Sequence, residues 1–310
     1  MSEYHTPVLL GQSVDALLTN PQGTYVDATF GGGGHAAEIL SRLSMAGRLI
    51  AFDRDIDSHT QKLSDERLIL IHDNFRFVEN HLLDEYRKGS IPSPKADGIL
   101  ADLGVSSHQF DTPERGFSFR FEGPLDMRMD PTASQKTASD IVNTYPVEDL
   151  ERILRTWGEV PVSRRIAQAI AKERESSPIE TTTHLCAVVE PLLPKDSHKM
   201  LAKVFQALRI EVNGEMRSLE KFLQGTAPSI KAGGMLVVIT YHSLEDRMVK
   251  NYIKSGNTSG KEAKDQWGNL IAPFRATIRK PIEPSEGEIA ANPRSRSAKM
   301  RVAQRKEDDR

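Results

Sequence analysis

Hydrophobic and polar positions along the chain fall into two regimes. Over the first hundred residues, short apolar runs alternate with helix-spaced apolar positions. Residues 23–30 (GTYVDATF) predict a strand, and the glycine run Gly31–Gly34 follows it. His35–Leu43 then places Ala36, Ile39, Leu40 and Leu43 on one helical face. Further strands are predicted at Arg48–Asp53, Leu68–His72 and Gly98–Leu103. Strands alternating with helices call for a parallel sheet covered on both faces, because each crossover lays a helix across the sheet.

Beyond Ser107 the pattern changes. Residues 111–134 have no clean period and carry several Gly and Pro, and from there to about 212 the reading is helical. Leu150, Ile153, Leu154 and Trp157 follow the i, i+3, i+4, i+7 spacing of a buried face, and Val162, Ile166, Ala169 and Ile170 mark a second helix. The strand signal returns at Met235–Thr240, an apolar run suited to a central strand. Ser243 is predicted to cap the next helix, with Glu245 and Asp246 in its first turn. Residues 255–268 read as a polar loop, and short strands are expected at Phe274–Ile278 and Lys299–Ala303. The expected organisation is a sheet-bearing domain of residues 1–106 and 213–310, interrupted by a helical insertion, 107–212.

Composition removes several classes. One cysteine, Cys186, excludes an intrachain disulfide and a cysteine-based zinc site. The nine histidines are scattered without a His-x-x-x-His pair beside an acid, so no metal site is expected. There is no Gly-x-Ser-x-Gly elbow for a serine hydrolase. The amino terminus lacks a signal pattern and the longest aliphatic run is Met235–Ile239, so a soluble cytoplasmic protein is expected. The formal charge of −2 does not announce a nucleic-acid binder. Charge is uneven, however: Arg294, Arg296, Lys299, Arg301, Arg305 and Lys306 form a stretch without an acid.

Candidate chemistry gathers at the predicted strand ends. A glycine turn between a first strand and its helix lets a cofactor approach the backbone, and Asp53 follows Gly31 by twenty-two residues, at the end of the second strand. An acid there can accept from both hydroxyls of an adenosine ribose. The run GGGGH departs from the G-x-G-x-x-G needed for a pyrophosphate, and AGGMLVVIT looks like the fifth strand of Rossmann methyltransferases. Both favour S-adenosylmethionine over NAD. Asp102 ends the fourth predicted strand and would face the same crevice, or else cap a turn. His242 follows the late strand and could orient a base or accept a proton, or be structural. Asn213 could hydrogen-bond a base edge or cap a helix. The stretch 115–121 (RGFSFRF) interleaves Arg115 and Arg120 with phenylalanines, as nucleic-acid stacking platforms do. A packed loop with core phenylalanines is the alternative.

Taken in order, HTPVLL (5–10), DGILADLGVSS (97–107), ERGFSF (114–119), GPLDMRMDP (123–131), FQALRIEVN (205–213), YHSLEDRMVK (241–250) and NPRSRSAKMRVAQR (292–305) resemble the RsmH (MraW) family of bacterial 16S ribosomal RNA cytosine-N4 methyltransferases. That resemblance implies a Rossmann-type class I methyltransferase fold with an inserted α-helical subdomain. It also implies N4 methylation of one cytidine in the decoding centre of the small ribosomal subunit. Cofactor contacts would fall on Gly33, Gly34, His35, Asp53, Phe75, Asp102 and Gln109. Gly32, His108 and Tyr241 stand where the family frequently carries Arg, Pro and Phe. Asp102, or a carbonyl near Leu103 and Gly104, would accept from the cytosine amine, with Asn213 or His242 holding the base. Arg115, Arg120, Arg294, Arg296 and Arg301 are the candidate RNA contacts, and the insertion could serve RNA contact, a homodimer, or both. An NAD oxidoreductase and a non-catalytic ribosome-assembly factor are the alternatives.

Overall fold

The computed structural model describes residues 7–55, 63–132, 136–194, 198–268 and 270–307; the amino-terminal signal reading and the first two residues of HTPVLL fall outside them. Within the described residues the chain forms two compact units, one running to Gly104 and resuming at Met216, the other spanning Val105–Glu215. The second compares with 107–212 read from the sequence.

The first unit is built on a seven-stranded sheet. Its strands are β1 (Thr24–Asp27), β2 (Arg48–Asp53), β3 (Leu68–His72), β4 (Ala96–Asp102), β5 (Ile230–Thr240), β6 (Phe274–Ala276) and β7 (Lys299–Arg305), in the order β3-β2-β1-β4-β5-β7-β6. The ladders from β3 to β5 are parallel, and β7 lies antiparallel between β5 and β6. The expected parallel sheet therefore holds for five strands and is corrected at this edge. β2 and β3 begin and end where the apolar runs do. β1 is shorter than the run 23–30, since only Thr24–Asp27 pair in register with β2. β5 begins earlier than Met235, and a register shift interrupts its pairing with β4 between Ala96 and Gly98. Helices α1 (Leu10–Leu17), α2 (Gly34–Arg42) and α3 (Val78–Arg87) belong to this unit, as do α11 (Ser243–Ser255) and α12 (Glu286–Ala291). Most of α10 (Glu215–Ser229) does too. One core cluster joins Val14 and Leu17 of α1 and Ile39 of α2 to Leu49, Leu100, Val237 and Ile239 of the sheet.

The second unit is helical: α4 (Ser107–Asp111), α5 (Ala138–Thr144), α6 (Val147–Thr156), α7 (Ser163–Arg174), α8 (Thr182–Val189) and α9 (His198–Asn213). Leu150, Ile153 and Leu154 of α6 are buried as their spacing predicts. On α7 it is Ala167, with Ile166 and Ile170, that is buried, and Ala169 is only half-buried. The aperiodic stretch before α5 is folded against this core. Leu125, Met127 and Met129 alternate inward, while Asp126 and Arg128 between them pair at 2.6 Å. The alternation that makes GPLDMRMDP specific is thus a packing pattern. Phe117 joins the same core. No helix among the described residues is long and apolar enough to cross a membrane.

Gly116 locks these two motifs together. Its φ of 70° suits glycine, and an added Cβ would collide with the Pro124 carbonyl oxygen and lie 2.8 Å from Asp126 N. Gly116→Ala combines left-handed strain with backbone overpacking, so it should destabilise the protein by about 3 kcal/mol or more. Urea unfolding of wild type and variant measures the difference. A change within about 0.5 kcal/mol would mean that the two segments are not clamped at this point.

Candidate active site

The parallel strands end together, and their last residues are the polar ones. β1 closes on Asp27, β2 on Asp53 and β4 on Asp102, while Tyr241 and His242 follow β5. A buried strand reads as a continuous apolar run, and the polar residue at its end marks where the chain leaves the sheet. In open α/β sheets this carboxyl edge is where ligands bind.

The turn after β1 is held from both sides. Asp53 Oδ2 accepts from Gly31 N at 2.7 Å and Oδ1 from Asp55 N at 2.8 Å, which fixes the carboxylate. Thr29 N donates to Asp27 Oδ1 at 3.0 Å, and Thr29 Oγ1 accepts from Asp102 N at 2.7 Å, so one threonine ties the ends of β1 and β4. Gly33, with φ 75°, caps α2. At Gly34 a Cβ would collide with Pro7, which gives that glycine a packing reason besides any cofactor contact.

His35 lies in the first turn of α2 and is buried. Its Nε2 donates to the Val8 carbonyl at 3.2 Å; a carbonyl can only accept, so the proton sits on Nε2 and Nδ1 presents a lone pair. Burial, only partly offset by this hydrogen bond, pushes the imidazole down to about 4 and keeps it neutral. Pro7 and Val8 thereby give the HTPVLL motif a role: they pack on and hydrogen-bond the start of α2.

Nδ1 of His35 lies 3.8 Å from Asp102 Oδ2. The other Asp102 oxygen, Oδ1, accepts from the Tyr241 hydroxyl at 2.8 Å. Burial pushes Asp102 up to about 7; the tyrosine hydrogen bond opposes this, and the neighbouring Asp27 and Glu245 carboxylates add to it. Asp27 is fully buried and is likewise pushed up to about 7, chiefly by burial. Its Oδ2 has no hydrogen-bond partner among the described residues.

The remaining candidates have mixed fates. Phe75 follows β3 in a short 3-10 turn and packs edge-on against Phe222, with ring centroids 5.1 Å apart. His242, rather than Ser243, caps α11: its Nδ1 accepts from Glu245 N at 3.4 Å, and Glu245 Oε2 accepts from His242 N at 3.3 Å. The Ser243 expectation is corrected because residue 242 has the extended backbone of a cap and Ser243 is already helical. Nε2 of His242 lies 3.1 Å from Glu245 Oε1 without hydrogen-bond alignment.

Two candidates belong to the helical unit. Gln109 closes a capping box with Ser106 at the start of α4. Asn213 is buried, donates to the Met127 and Arg209 carbonyls and accepts from Met129 N at 2.8 Å. Its amide braces the GPLDMRMDP segment.

Two of the expected RNA contacts already have partners within the fold. Arg115 is buried and donates to the carbonyls of Arg128 and Met129. Arg301 is bound two-fold by Asp246, at 2.7 and 3.0 Å. Each guanidinium is already satisfied inside the fold. Arg120, Arg294 and Arg296 are exposed. The stretch 115–121 is a packed loop, with Phe121 exposed at its end.

Three elements of the site were not singled out from sequence: the Tyr241 hydroxyl, the depth of Asp27 and the tie through Thr29. The available signal was position, since each sits at or just after a strand end.

The strand order is that of a dinucleotide-binding Rossmann sheet with one antiparallel strand slipped between the last two. Together with the carboxylates around the glycine turn, that sheet defines a class I methyltransferase. The chain belongs to the MraW methylase family, whose model matches residues 2–306. It is 53% identical over 304 residues to a protein named ribosomal RNA small subunit methyltransferase H from Bacteroides fragilis, covering 98% of both chains. It is 49% identical over 307 residues to the protein of the same name from Flavobacterium johnsoniae, again covering 98% of both.

Proposed function

We propose that this protein methylates N4 of one cytidine in the decoding centre of small-subunit ribosomal RNA, with S-adenosylmethionine as methyl donor. The observation that carries the chemistry is Asp102 Oδ2, an acceptor at a strand end, half-buried and 3.8 Å from His35 Nδ1 in the first turn of α2. The names of the relatives support the substrate class.

The residues present suit the donor. Asp53, already held by two backbone N–H groups, would accept from the ribose hydroxyls. Phe75, steadied by Phe222, offers a ring edge or face to the adenine. Asp27 Oδ2, at the end of β1 before the glycine turn, is a buried polar atom without a hydrogen-bond partner among the described residues. S-adenosylmethionine, when bound, supplies a methyl group already activated by a positive sulfur.

What the protein must add is alignment and a place for one proton. The cytosine amine is a poor nucleophile because its lone pair is delocalised into the ring. An oxygen that accepts from an N4 hydrogen draws the lone pair out of that delocalisation. Asp102 Oδ2 does this as a carboxylate; the N4–carbon bond would form as the donor's carbon–sulfur bond breaks, the sulfur leaving as a neutral thioether, and the surplus N4 proton would pass to Oδ2 and on to solvent. A group that titrates near neutrality is matched to both halves of that duty. The target base has to leave its stack to reach this point. Arg120, Arg294 and Arg296, exposed and cationic, are the candidates for phosphate contact.

Small subunits lacking the modification, incubated with the protein and labelled S-adenosylmethionine, should yield N4-methylcytidine on nucleoside mass spectrometry. Label on another nucleoside, or none despite donor binding, would overturn the assignment. Naked rRNA run in parallel reports whether an assembled subunit is required.

A further inference from the structure

We propose that Tyr241 is a positioning residue for the transfer, pinning Asp102 through Oδ1 so that Oδ2 alone is presented to the reacting amine. The inference rests on the role given to Asp102 above. Tyr241 stands in the turn between β5 and α11, and its place there does not depend on its hydroxyl. The backbone N donates to Glu245 Oε2 at 2.9 Å, and the ring packs against the core of the sheet unit. The same ring lies over the end of β4, where a Cβ on Gly104 would meet its Cδ2 at 3.4 Å. What the hydroxyl adds is one hydrogen bond, 2.8 Å to Asp102 Oδ1.

That bond decides how the carboxylate is oriented. Among the described residues, His35 and Thr29 also neighbour Asp102, and neither restrains its carboxyl group. His35 turns its Nδ1 lone pair toward Oδ2 at 3.8 Å, and two acceptors do not bind each other. Asp102 N engages Thr29, which holds the main chain and not the carboxyl group. Without the hydroxyl, χ2 of Asp102 is left to rotate, and the carboxylate plane is no longer held with an oxygen toward the base.

The hydroxyl also opposes the surroundings. The ionisable groups acting on Asp102 are Tyr241 in the turn after β5, Asp27 from β1 and Glu245 from α11, with Asp53 acting in turn on Asp27; neutral His35 from α2 faces it at 3.8 Å. Burial and the two carboxylates favour a protonated Asp102, whereas the Tyr241 hydrogen bond favours the carboxylate. A protonated Asp102 would offer a donor where the amine needs an acceptor. Tyr241 therefore widens the pH range over which Oδ2 can accept.

Tyr241→Phe keeps the ring and removes the bond. The acid limb of kcat is expected to move up by about one pH unit. Turnover should fall about ten-fold near pH 6 and recover at alkaline pH, with KM for S-adenosylmethionine unchanged. A second readout needs no turnover: carbon NMR of labelled aspartate carboxyls in the ligand-free protein, with Asp102 assigned through Asp102→Asn, should show Asp102 titrating higher in the variant. An unmoved titration and acid limb would overturn the proposal, as would an equal loss of kcat at every pH. If the wild type fails to methylate cytidine N4, the proposed function falls, and the carboxyl titration still decides whether the clamp exists.

Discussion

Asp102→Asn should lower kcat for methyl transfer by about 10²- to 10⁴-fold while the protein remains folded and binds S-adenosylmethionine within a few-fold of wild type. The asparagine keeps the shape of the side chain. Its Oδ1 can still accept from the Tyr241 hydroxyl, and its Nδ2 can donate toward the His35 Nδ1 lone pair that now faces an oxygen. Every contact that holds the side chain therefore survives or improves. What changes is the atom presented to the amine: an N–H donor replaces an acceptor, so the cytosine N4 hydrogens meet like polarity and the departing proton has no carboxylate to receive it. Single-turnover transfer separates this from product release, and calorimetry of the donor separates it from binding. Normal binding with full turnover would remove Asp102 from the mechanism and leave the task to a backbone carbonyl.

The second large effect is on stability, and its sign depends on pH. Asp27 is held at about 7 in the folded protein, against about 4 for an exposed aspartate. Below about pH 4 the group is protonated both folded and unfolded, and contributes no pH dependence. As pH rises toward 7 the unfolded chain ionises while the buried carboxyl stays neutral, so wild-type stability falls. The loss is complete above the folded value and is on the order of 4 kcal/mol. Asp27→Asn retains the acceptor for Thr29 N and cannot ionise. Its stability relative to wild type should accordingly climb between about pH 4 and pH 7, then level off. Asp102 follows the same rule in the same window, so the double replacement should flatten the profile further. Urea unfolding across this range measures the difference, and a pH-independent offset between wild type and Asp27→Asn would show that Asp27 is ionised in the folded protein.

Sequence by itself determined the parts of this protein in which local pattern and final environment agree. β2 and β3 are read end to end because strands of a covered parallel sheet are apolar runs, and these close on a polar residue at the ligand edge. The face of α6 is legible because a helix that packs on one side must repeat its apolar positions. Asp53 and Asp102 are legible for the same reason as the strands they end. The motifs HTPVLL and GPLDMRMDP stood out without a visible cause, since each is shaped by contacts made elsewhere in the chain.

Tertiary structure decided what depends on a distant partner. An arginine beside aromatics has the same local sequence whether it reaches solvent or two carbonyls, and Arg115 reaches the carbonyls of Arg128 and Met129. Arg301 belongs to a basic run until the fold brings Asp246, 55 residues away, into a two-point contact. The antiparallel slot of β7 follows from pairing between β5 and β6, which chain order does not encode. The state of Asp27 follows from complete burial, and the setting of Asp102 from a tyrosine 139 residues downstream. Periodicity records which side of an element meets the core. It carries no record of which charged group meets which, because that is set by packing between segments far apart in the chain.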